Sequence, residues 1–236
     1  MRWILALSFL LIVSVNAEVL TFQQGVENYS GTRMTHILGH PASASDTNYS
    51  TSPTWYLEND AASNQTISRG LLKFDNLFGN AVGQIKVGSV INSAVLTIRT
   101  STDSWSAGST DYVYQVLSAW DRNSVTWNNF GSSPGGLAGT DYSSQALVSF
   151  HPGYINIAYN LNITSAVQAW SDGIANNGLF FLSSGADASA FDNENNSTVA
   201  YRPKLTINFT APIPEPSSLL ILALASIFLF GKSRIR

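Results

Sequence analysis

Apolar and polar residues alternate along several segments of the chain with the two-residue period of a β-strand. In the segment 154–161, the apolar residues Ile155, Ile157, Tyr159 and Leu161 alternate with polar ones and would share one face. Alternation or a short apolar run also predicts strands at 20–22, 70–74, 90–100, 112–117, 125–127, 179–182 and 202–209. Turns rich in Gly, Ser and Asn separate these segments. Many short strands predict an all-β fold, an antiparallel β-sandwich or jelly roll.

One segment departs from the strand pattern. Val167 and Trp170 recur at helical spacing, and Ser165 with Gln168 matches the spacing of a capping box. We therefore expect one short helix near residues 164–171. Its apolar side would cap one end of the sandwich and bury Trp170 in the core.

The two ends of the chain differ in character from its body. Residues 1–17 combine a cation at Arg2, an apolar run and a small-residue cleavage pattern, which predicts a signal peptide. Residues 18–211 form the predicted β-sandwich domain. Within the C-terminal segment 212–236, an apolar stretch at about 217–231 predicts a transmembrane helix of about 22 Å, short of the ~30 Å hydrocarbon core. The basic end that follows predicts that the folded body lies outside the cytoplasm.

Composition narrows the classes of partner. The predicted domain carries eight Lys and Arg residues against fourteen Asp and Glu residues, which argues against binding to a phosphate backbone. No nucleic-acid partner is therefore expected. The chain has no Cys, so neither a disulfide framework nor a thiolate metal site is available. Asn, Ser, Thr and Gly dominate the polar surface, which suits neutral hydrogen-bonding partners such as sugars as well as simple solubility.

The candidate ligand-binding residues are aromatic side chains in polar surroundings. Aromatic rings stack on the apolar faces of sugars, while amides and carboxylates at the rim bind the hydroxyl groups. Trp55 and Tyr56, flanked by Tyr49 and Asp60, are the first candidates. Trp105, in a turn-rich segment, is the second. Edge-strand packing is the alternative role for Trp55.

The C-terminal tail has a recognisable order of features. Pro214, Glu215 and Pro216 precede the apolar stretch, and a basic end follows it. This order resembles the PEP-CTERM sorting signal of exopolysaccharide-producing Gram-negative bacteria. The resemblance implies export, transient anchoring in the inner membrane, processing at Pro214–Pro216 by an exosortase-type sorting enzyme, and delivery to the cell surface or extracellular matrix. An ordinary C-terminal membrane anchor is the alternative.

A second resemblance covers most of the predicted domain, from about residue 46 to 209. Five phrases occur in order, namely RGLLKFD, SAVLTI, VYQVLSAWDRNSVTWNN, LNITSAVQAWSDGIANNGLFF and RPKLTINF. Together they resemble the DNRLRE domain, which is similar to a group of carbohydrate-binding modules with a β-sandwich fold. Trp120 and Trp127 lie within these phrases and are expected in the core. The stretch 76–88 lengthens one loop relative to that pattern.

Calcium is the one metal that this resemblance makes worth considering. β-Sandwich carbohydrate modules often hold a structural Ca²⁺ through carboxylate and carbonyl oxygens. Asp46, Asp60, Asp192 and Glu194 are candidate ligands in predicted loops. No loop has the spaced acidic pattern of a calcium motif, so ordinary surface carboxylates are the alternative.

Catalytic motifs are absent from the sequence. It contains no G-x-S-x-G, no H-E-x-x-H and no Cys nucleophile. The leading hypothesis is therefore a non-enzymatic exported protein that binds polysaccharide. The alternatives are a structural protein of an exopolysaccharide matrix that binds no specific sugar, and a polysaccharide-degrading enzyme whose paired carboxylates the sequence does not reveal.

Overall fold

A computed structural model describes residues 16–60, 66–102 and 109–213 of the chain. These residues form eleven strands and one α-helix, α1 (Thr164–Ser171). The strands are β1 (Ala17–Gln23), β2 (Thr32–His40), β3 (Trp55–Asn59), β4 (Ile67–Phe74), β5 (Val90–Arg99), β6 (Asp111–Gln115), β7 (Val148–Phe150), β8 (Ala158–Asn162), β9 (Leu179–Ser183), β10 (Ser189–Phe191) and β11 (Lys204–Thr210).

The strands form two sheets. The first has the order β1-β11-β5-β8. The second has the order β10-β3-β4-β9-β6-β7, and β2 also pairs with β4. Every strand pair is antiparallel. The expected antiparallel sandwich and its single short helix are therefore confirmed for the part of the chain that the structure describes.

The main core lies between the sheets. Leu96 on β5 and Ile207 on β11 meet Trp55, Leu72 and Phe181 from the second sheet, and all five are at most 1% exposed. These residues come from the apolar positions of alternating strands, so strand formation and burial select the same side chains. Residues of this size each contribute about 1.5–3 kcal/mol on burial.

A second, smaller core lies on the outer face of the second sheet. Ile37, Leu71 and Phe180 project outward, and Val125 and Phe130 from the 117–147 segment cover them. The Phe130 and Phe180 rings stack at 5.1 Å. The predicted strand 125–127 is wrong, because these residues lie in the covering segment. No other residue that the structure describes covers the part of the outer face around Tyr112 and Tyr114.

The helix confirms one expectation and corrects another. Trp170 is 4% exposed and packs in the main core, as expected. The capping box is wrong: Ile163 is the N-cap and makes no side-chain cap. Gln168 instead accepts a hydrogen bond from the backbone N–H of Ile91 at 2.7 Å and so ties α1 to β5.

The segment 154–161 is only partly a strand. β8 begins at Ala158, and Asn156 has a φ of 61°, a left-handed conformation that interrupts a strand. Ile155 and Ile157 are consequently exposed, at 48% and 44%. Leu161 is buried, so the predicted face holds only where the strand forms.

Among the described residues, no helix has the length and apolar character needed to span a membrane. The predicted signal peptide lies mostly outside those residues, since the described chain starts at residue 16. The predicted transmembrane helix at about 217–231 lies wholly outside them. Both segments stay predictions from sequence.

Candidate functional site

Trp55 is a core residue. It is not the exposed sugar-stacking ring that the polar residues around it in the sequence predicted. It is 1% exposed, and its ring meets Phe181 and Phe191 edge-on at 4.8 and 5.3 Å. Its indole N–H donates to the backbone carbonyl of Thr35 at 2.7 Å. Gly70 leaves room for the ring, because a Cβ there would collide with it. A sugar cannot stack on Trp55, so this candidate is wrong.

Tyr49 and Tyr56 meet around a buried histidine. The Tyr49 ring stacks on His36 at 4.7 Å, and the Tyr56 ring approaches His36 edge-on at 6.0 Å. Burial lowers the pKa of His36 to about 4, so its ring is neutral at physiological pH. Both tyrosines are half-buried, and the structure shows them as the cover of His36.

Three of the four candidate calcium ligands, Asp46, Asp192 and Glu194, each bind a different partner. The Asp192 carboxylate lies 2.5 Å from the guanidinium of Arg99, and that of Glu194 lies 2.8 Å from Arg122. Asp46 is exposed and accepts a hydrogen bond from the Asn128 side chain at 2.8 Å. The described residues contain no cluster of three potential metal ligands. Because arginines neutralise Asp192 and Glu194, the calcium hypothesis is not supported for these residues.

Four candidate residues fall outside the described part of the chain. Trp105 is one of them, and the processing residues Pro214, Glu215 and Pro216 are the others. Their predicted roles stay predictions.

The open part of the outer face forms a shallow cleft that the sequence did not single out as a site. We call it the tyrosine cleft; its volume is about 220 Å³. Strands β3, β4, β6 and β9 contribute its main lining residues, Glu58, Asn59, Arg69, Tyr112, Tyr114 and Leu182.

Strand register places the two tyrosines of the cleft. Tyr112 and Tyr114 are two residues apart on β6, so both project from the same face. Tyr112 pairs with Leu182 on β9, and Tyr114 pairs with Phe180 of the outer core. The Tyr114 ring also meets Tyr142 edge-on at 5.2 Å. The outer core therefore supports Tyr114 from one side, while the cleft lies open on the other.

The Tyr114 hydroxyl is protonated at neutral pH, because the ordinary pKa of tyrosine is about 10. Burial raises the pKa of Tyr114, and the neighbouring Tyr142 and Tyr112 add to that effect. The hydroxyl is therefore a neutral group that can both donate and accept a hydrogen bond.

Arg69 is fixed at the cleft by contacts on two sides. Its guanidinium lies 4.6 Å from the ring centre of Trp127 and donates to the carbonyl of Gly135 at 2.6 Å. The guanidinium carries five N–H donors, so others stay available to a ligand. Trp127 and Trp120 are half-buried and pack against the outer core, so the core position expected for both holds only in part.

Acidic groups lie at the other end of the cleft. Partial burial raises the pKa of Glu58, and the charge of Asp60 adds to the rise. Asp187 contributes in the same direction, while a hydrogen bond with Thr66 opposes it. Of the predicted ligand-binding residues that the structure describes, Asp60 acts on Glu58 through its charge, and the Tyr56 carbonyl accepts a hydrogen bond from the cleft residue Ser68.

The cleft combines aromatic, apolar and hydrogen-bonding surfaces. Two tyrosine rings and Leu182 supply apolar area, and Glu58, Asn59 and Arg69 supply charged and amide groups. The sequence contained part of this signal, because the alternation in DYVYQ places Tyr112 and Tyr114 on one face. It could not indicate that this face is the one left uncovered.

Comparison with known proteins agrees with such a surface. No curated protein matches the chain. A family model described as carbohydrate-binding module family 96 matches residues 41–209, which is most of the chain and includes every residue that lines the tyrosine cleft. The chain belongs to carbohydrate-binding module family 96.

Proposed function

We propose that this protein binds polysaccharide through the tyrosine cleft and performs no catalysis itself. The observation that carries the proposal is the pair Tyr112 and Tyr114, side by side on the open face of a sheet and flanked by the fixed guanidinium of Arg69. Membership of a carbohydrate-binding module family supports this chemistry. The DNRLRE-like phrases in the sequence point in the same direction.

The geometry suits a polymer better than a small enclosed ligand. The cleft is open along the sheet surface, so a chain longer than one sugar unit can cross it. C–H faces of the sugar rings would pack on the tyrosines and Leu182. Hydroxyl groups would bind Asn59, Glu58 and the free donors of Arg69.

The two ends of the chain support a proposal about where the protein acts. The N-terminal pattern supports export, and the order of Pro214–Pro216, apolar stretch and basic end supports processing by an exosortase-type enzyme. The protein would then act at the cell surface or in the extracellular polysaccharide matrix. Mass spectrometry of the protein recovered from culture tests this part. A chain that starts near residue 18 and ends near residue 216 supports it, and an intact chain in the cytosol contradicts it.

Affinity gel electrophoresis of the recovered protein tests the binding function. Gels containing neutral or acidic polysaccharides should retard the wild-type protein in at least one case. Tyr112→Ala and Tyr114→Ala should each reduce that retardation, because each removes a ring from the cleft. Ile174→Ala is the matched control, since Ile174 is 57% exposed and lies outside the cleft.

Two outcomes contradict the proposal. The first is an absence of retardation by every polysaccharide, which would favour a structural matrix protein. The second is the release of new reducing ends from any of these polymers by the purified protein, which would indicate an enzyme.

A further inference from the structure

A larger groove lies at the β10 edge of the second sheet, away from the tyrosine cleft. Its volume is about 520 Å³, within the range typical of ligand sites. Residues 51–54 form one wall and residues 192–196 form the other, with Ser101 and Thr102 at one end. We call it the asparagine groove, after Asn193, Asn195 and Asn196. It shares no lining residue with the tyrosine cleft.

Asn193 holds the two walls together. Its side-chain amide donates to the carbonyls of Ser52 and Pro53 at 3.1 and 2.9 Å. Its side-chain oxygen accepts the backbone N–H of Asn195 at 2.9 Å. Since Asn193 is only 7% exposed, the groove has a fixed width that does not depend on a ligand.

Arg99 organises the end of the groove nearest Asp192. Its guanidinium lies 2.5 Å from the Asp192 carboxylate and donates to the Asn156 side chain at 2.6 Å. It also lies 3.8 Å from the ring centre of Tyr201. The Asp192 charge is therefore neutralised, and the described lining of the groove presents no net charge that would select an ionic ligand.

Several polar groups along the groove have hydrogen-bonding capacity to spare. The side chains of Thr51, Thr54, Thr102 and Asn195 make no hydrogen bond to other described residues. Three hydroxyls and a carboxamide can each donate and accept. The hydroxyl groups of a neutral sugar have the same dual character, whereas an anion would use the donors alone.

Exposed tyrosines lie beside the groove. Tyr201 is 40% exposed and is held against Arg99, which contacts the groove residue Asp192. Tyr154 is 77% exposed, and its carbonyl accepts a hydrogen bond from Thr100, the neighbour of Ser101 in the chain. Rings of this kind beside a polar groove offer stacking surfaces for sugar rings.

We infer that the asparagine groove is a second saccharide site, selective for neutral, hydroxyl-rich sugar units. The inference extends the proposed polysaccharide-binding function and rests on it. The groove and the tyrosine cleft are lined by different residues, so one sugar unit does not fill both. One domain would then engage a polymer at two points, or join two polymer chains.

Amide chemical-shift mapping on the ¹⁵N-labelled full chain tests the inference. The probes are neutral cello-, manno- and laminari-tetrasaccharides, each titrated separately. We expect at least one probe to shift the backbone amides of Thr51, Ser52 and Thr54 and the side-chain amide of Asn195. These shifts should persist in Tyr112→Ala, because that residue lies in the other site.

Groove variants provide the reciprocal test. Thr102→Ala combined with Asn195→Ala removes two side-chain partners at exposed positions and should weaken binding at the groove about tenfold or more. The shifts around Tyr112 and Tyr114 should be unaffected. Unchanged spectra elsewhere in the protein would show that the variant is folded.

Failure of the inference and failure of the proposed function give different results. Shifts at the tyrosine cleft alone overturn the groove inference and leave the proposed function intact. Shifts at the groove alone support the inference, and the affinity gels with acidic polysaccharides then decide whether the cleft binds a polymer. The inference is also overturned if the double variant binds a probe at the groove as strongly as the wild type does. It is overturned as well if no probe shifts the amides of either site.

Discussion

Arg122 and Glu194 form an ion pair at 2.8 Å. Together the two side chains bind the backbone of Met34, as a neighbouring strand would. The Arg122 Nε–H donates to the Met34 carbonyl at 3.0 Å, and the Glu194 carboxylate accepts the Met34 backbone N–H. Met34 lies on β2, which pairs with β4 along its other edge. The pair therefore satisfies two backbone groups that an uncovered edge would leave open to other chains.

Loss of one partner of this pair should be costly. Glu194 is 4% exposed, so Arg122→Met would leave a buried carboxylate without its counter-charge. Removing one partner of a buried pair typically destabilises by about 3–5 kcal/mol. We expect Arg122→Met to lower the free energy of unfolding in this range, measured by urea denaturation at pH 7. Glu194→Gln should cost less, because burial raises the pKa of Glu194 and the Arg122 side chain left behind is 22% exposed.

The double variant Arg122→Met, Glu194→Gln separates pairing from packing. It should lose less stability than the sum of the two single losses, because no unpaired charge is left behind. Losses that add fully would show that the two charges act independently, contrary to the geometry.

Asp111 should make the protein more stable in mild acid. This residue is 0% exposed, and neither carboxyl oxygen has a hydrogen bond of good geometry to the described residues. Burial raises its pKa to about 6, and the nearby hydroxyls of Ser183 and Ser189 only partly oppose the rise. Between pH 4 and 6 the folded state therefore binds more protons than the unfolded state, so this group lowers stability as pH rises.

Asp111→Asn isolates that effect. The substitution keeps the shape and removes the charge, so the stability difference between pH 4 and pH 7 should shrink. At pH 7 the variant should be more stable by about 3 kcal/mol at most, the equivalent of a two-unit pKa shift. Chemical denaturation at pH 4, 5, 6 and 7 measures this. An unchanged pH profile would show that Asp111 does not titrate in this range.

Seven of the eleven described strands could be read from the sequence, but β2, β3, β7 and β10 could not, nor could the functional face. Alternation identified β5 and β11 because their two faces have different polarity. β2 was missed because its apolar run and two histidines show no clear alternation. Trp55 lies between polar residues in the chain, yet β3 turns it inward. Which face is open depends on where the 117–147 segment packs, a long-range contact with no local signature.

Trp55 and Tyr112 should give opposite results when each is replaced by Ala. Trp55→Ala removes a buried ring and should cost about 3–5 kcal/mol of stability, because large core side chains leave cavities. Tyr112→Ala affects a half-buried residue and should cost less stability, yet it should weaken polysaccharide binding. Thermal unfolding and affinity electrophoresis below the transition distinguish the two. Weaker binding by fully folded Trp55→Ala protein, with no change in Tyr112→Ala, would reverse these assignments.

Asp141 should have the opposite pH signature to Asp111. It is 1% exposed and braces the 117–147 segment internally by accepting hydrogen bonds from Ser118, from Ser132 and from the backbone N–H of Leu137, at 2.7–2.9 Å. Burial alone would raise the pKa of Asp141, but these hydrogen bonds outweigh it and lower the pKa. The carboxylate therefore stabilises the fold above its unfolded pKa, and that contribution is lost as pH falls through the lower folded value.

Asp141→Asn tests this role at neutral pH. The Asn side chain keeps one acceptor oxygen, but its NH₂ group cannot accept from Ser132 and Leu137, so we expect a loss of about 2–3 kcal/mol. The variant should also lose less stability than the wild type when the pH is lowered from 5 to 3. Because the 117–147 segment also carries Trp127, which contacts Arg69, polysaccharide affinity should fall together with stability. Stability unchanged at pH 7 would mean that the segment is held by its apolar contacts alone.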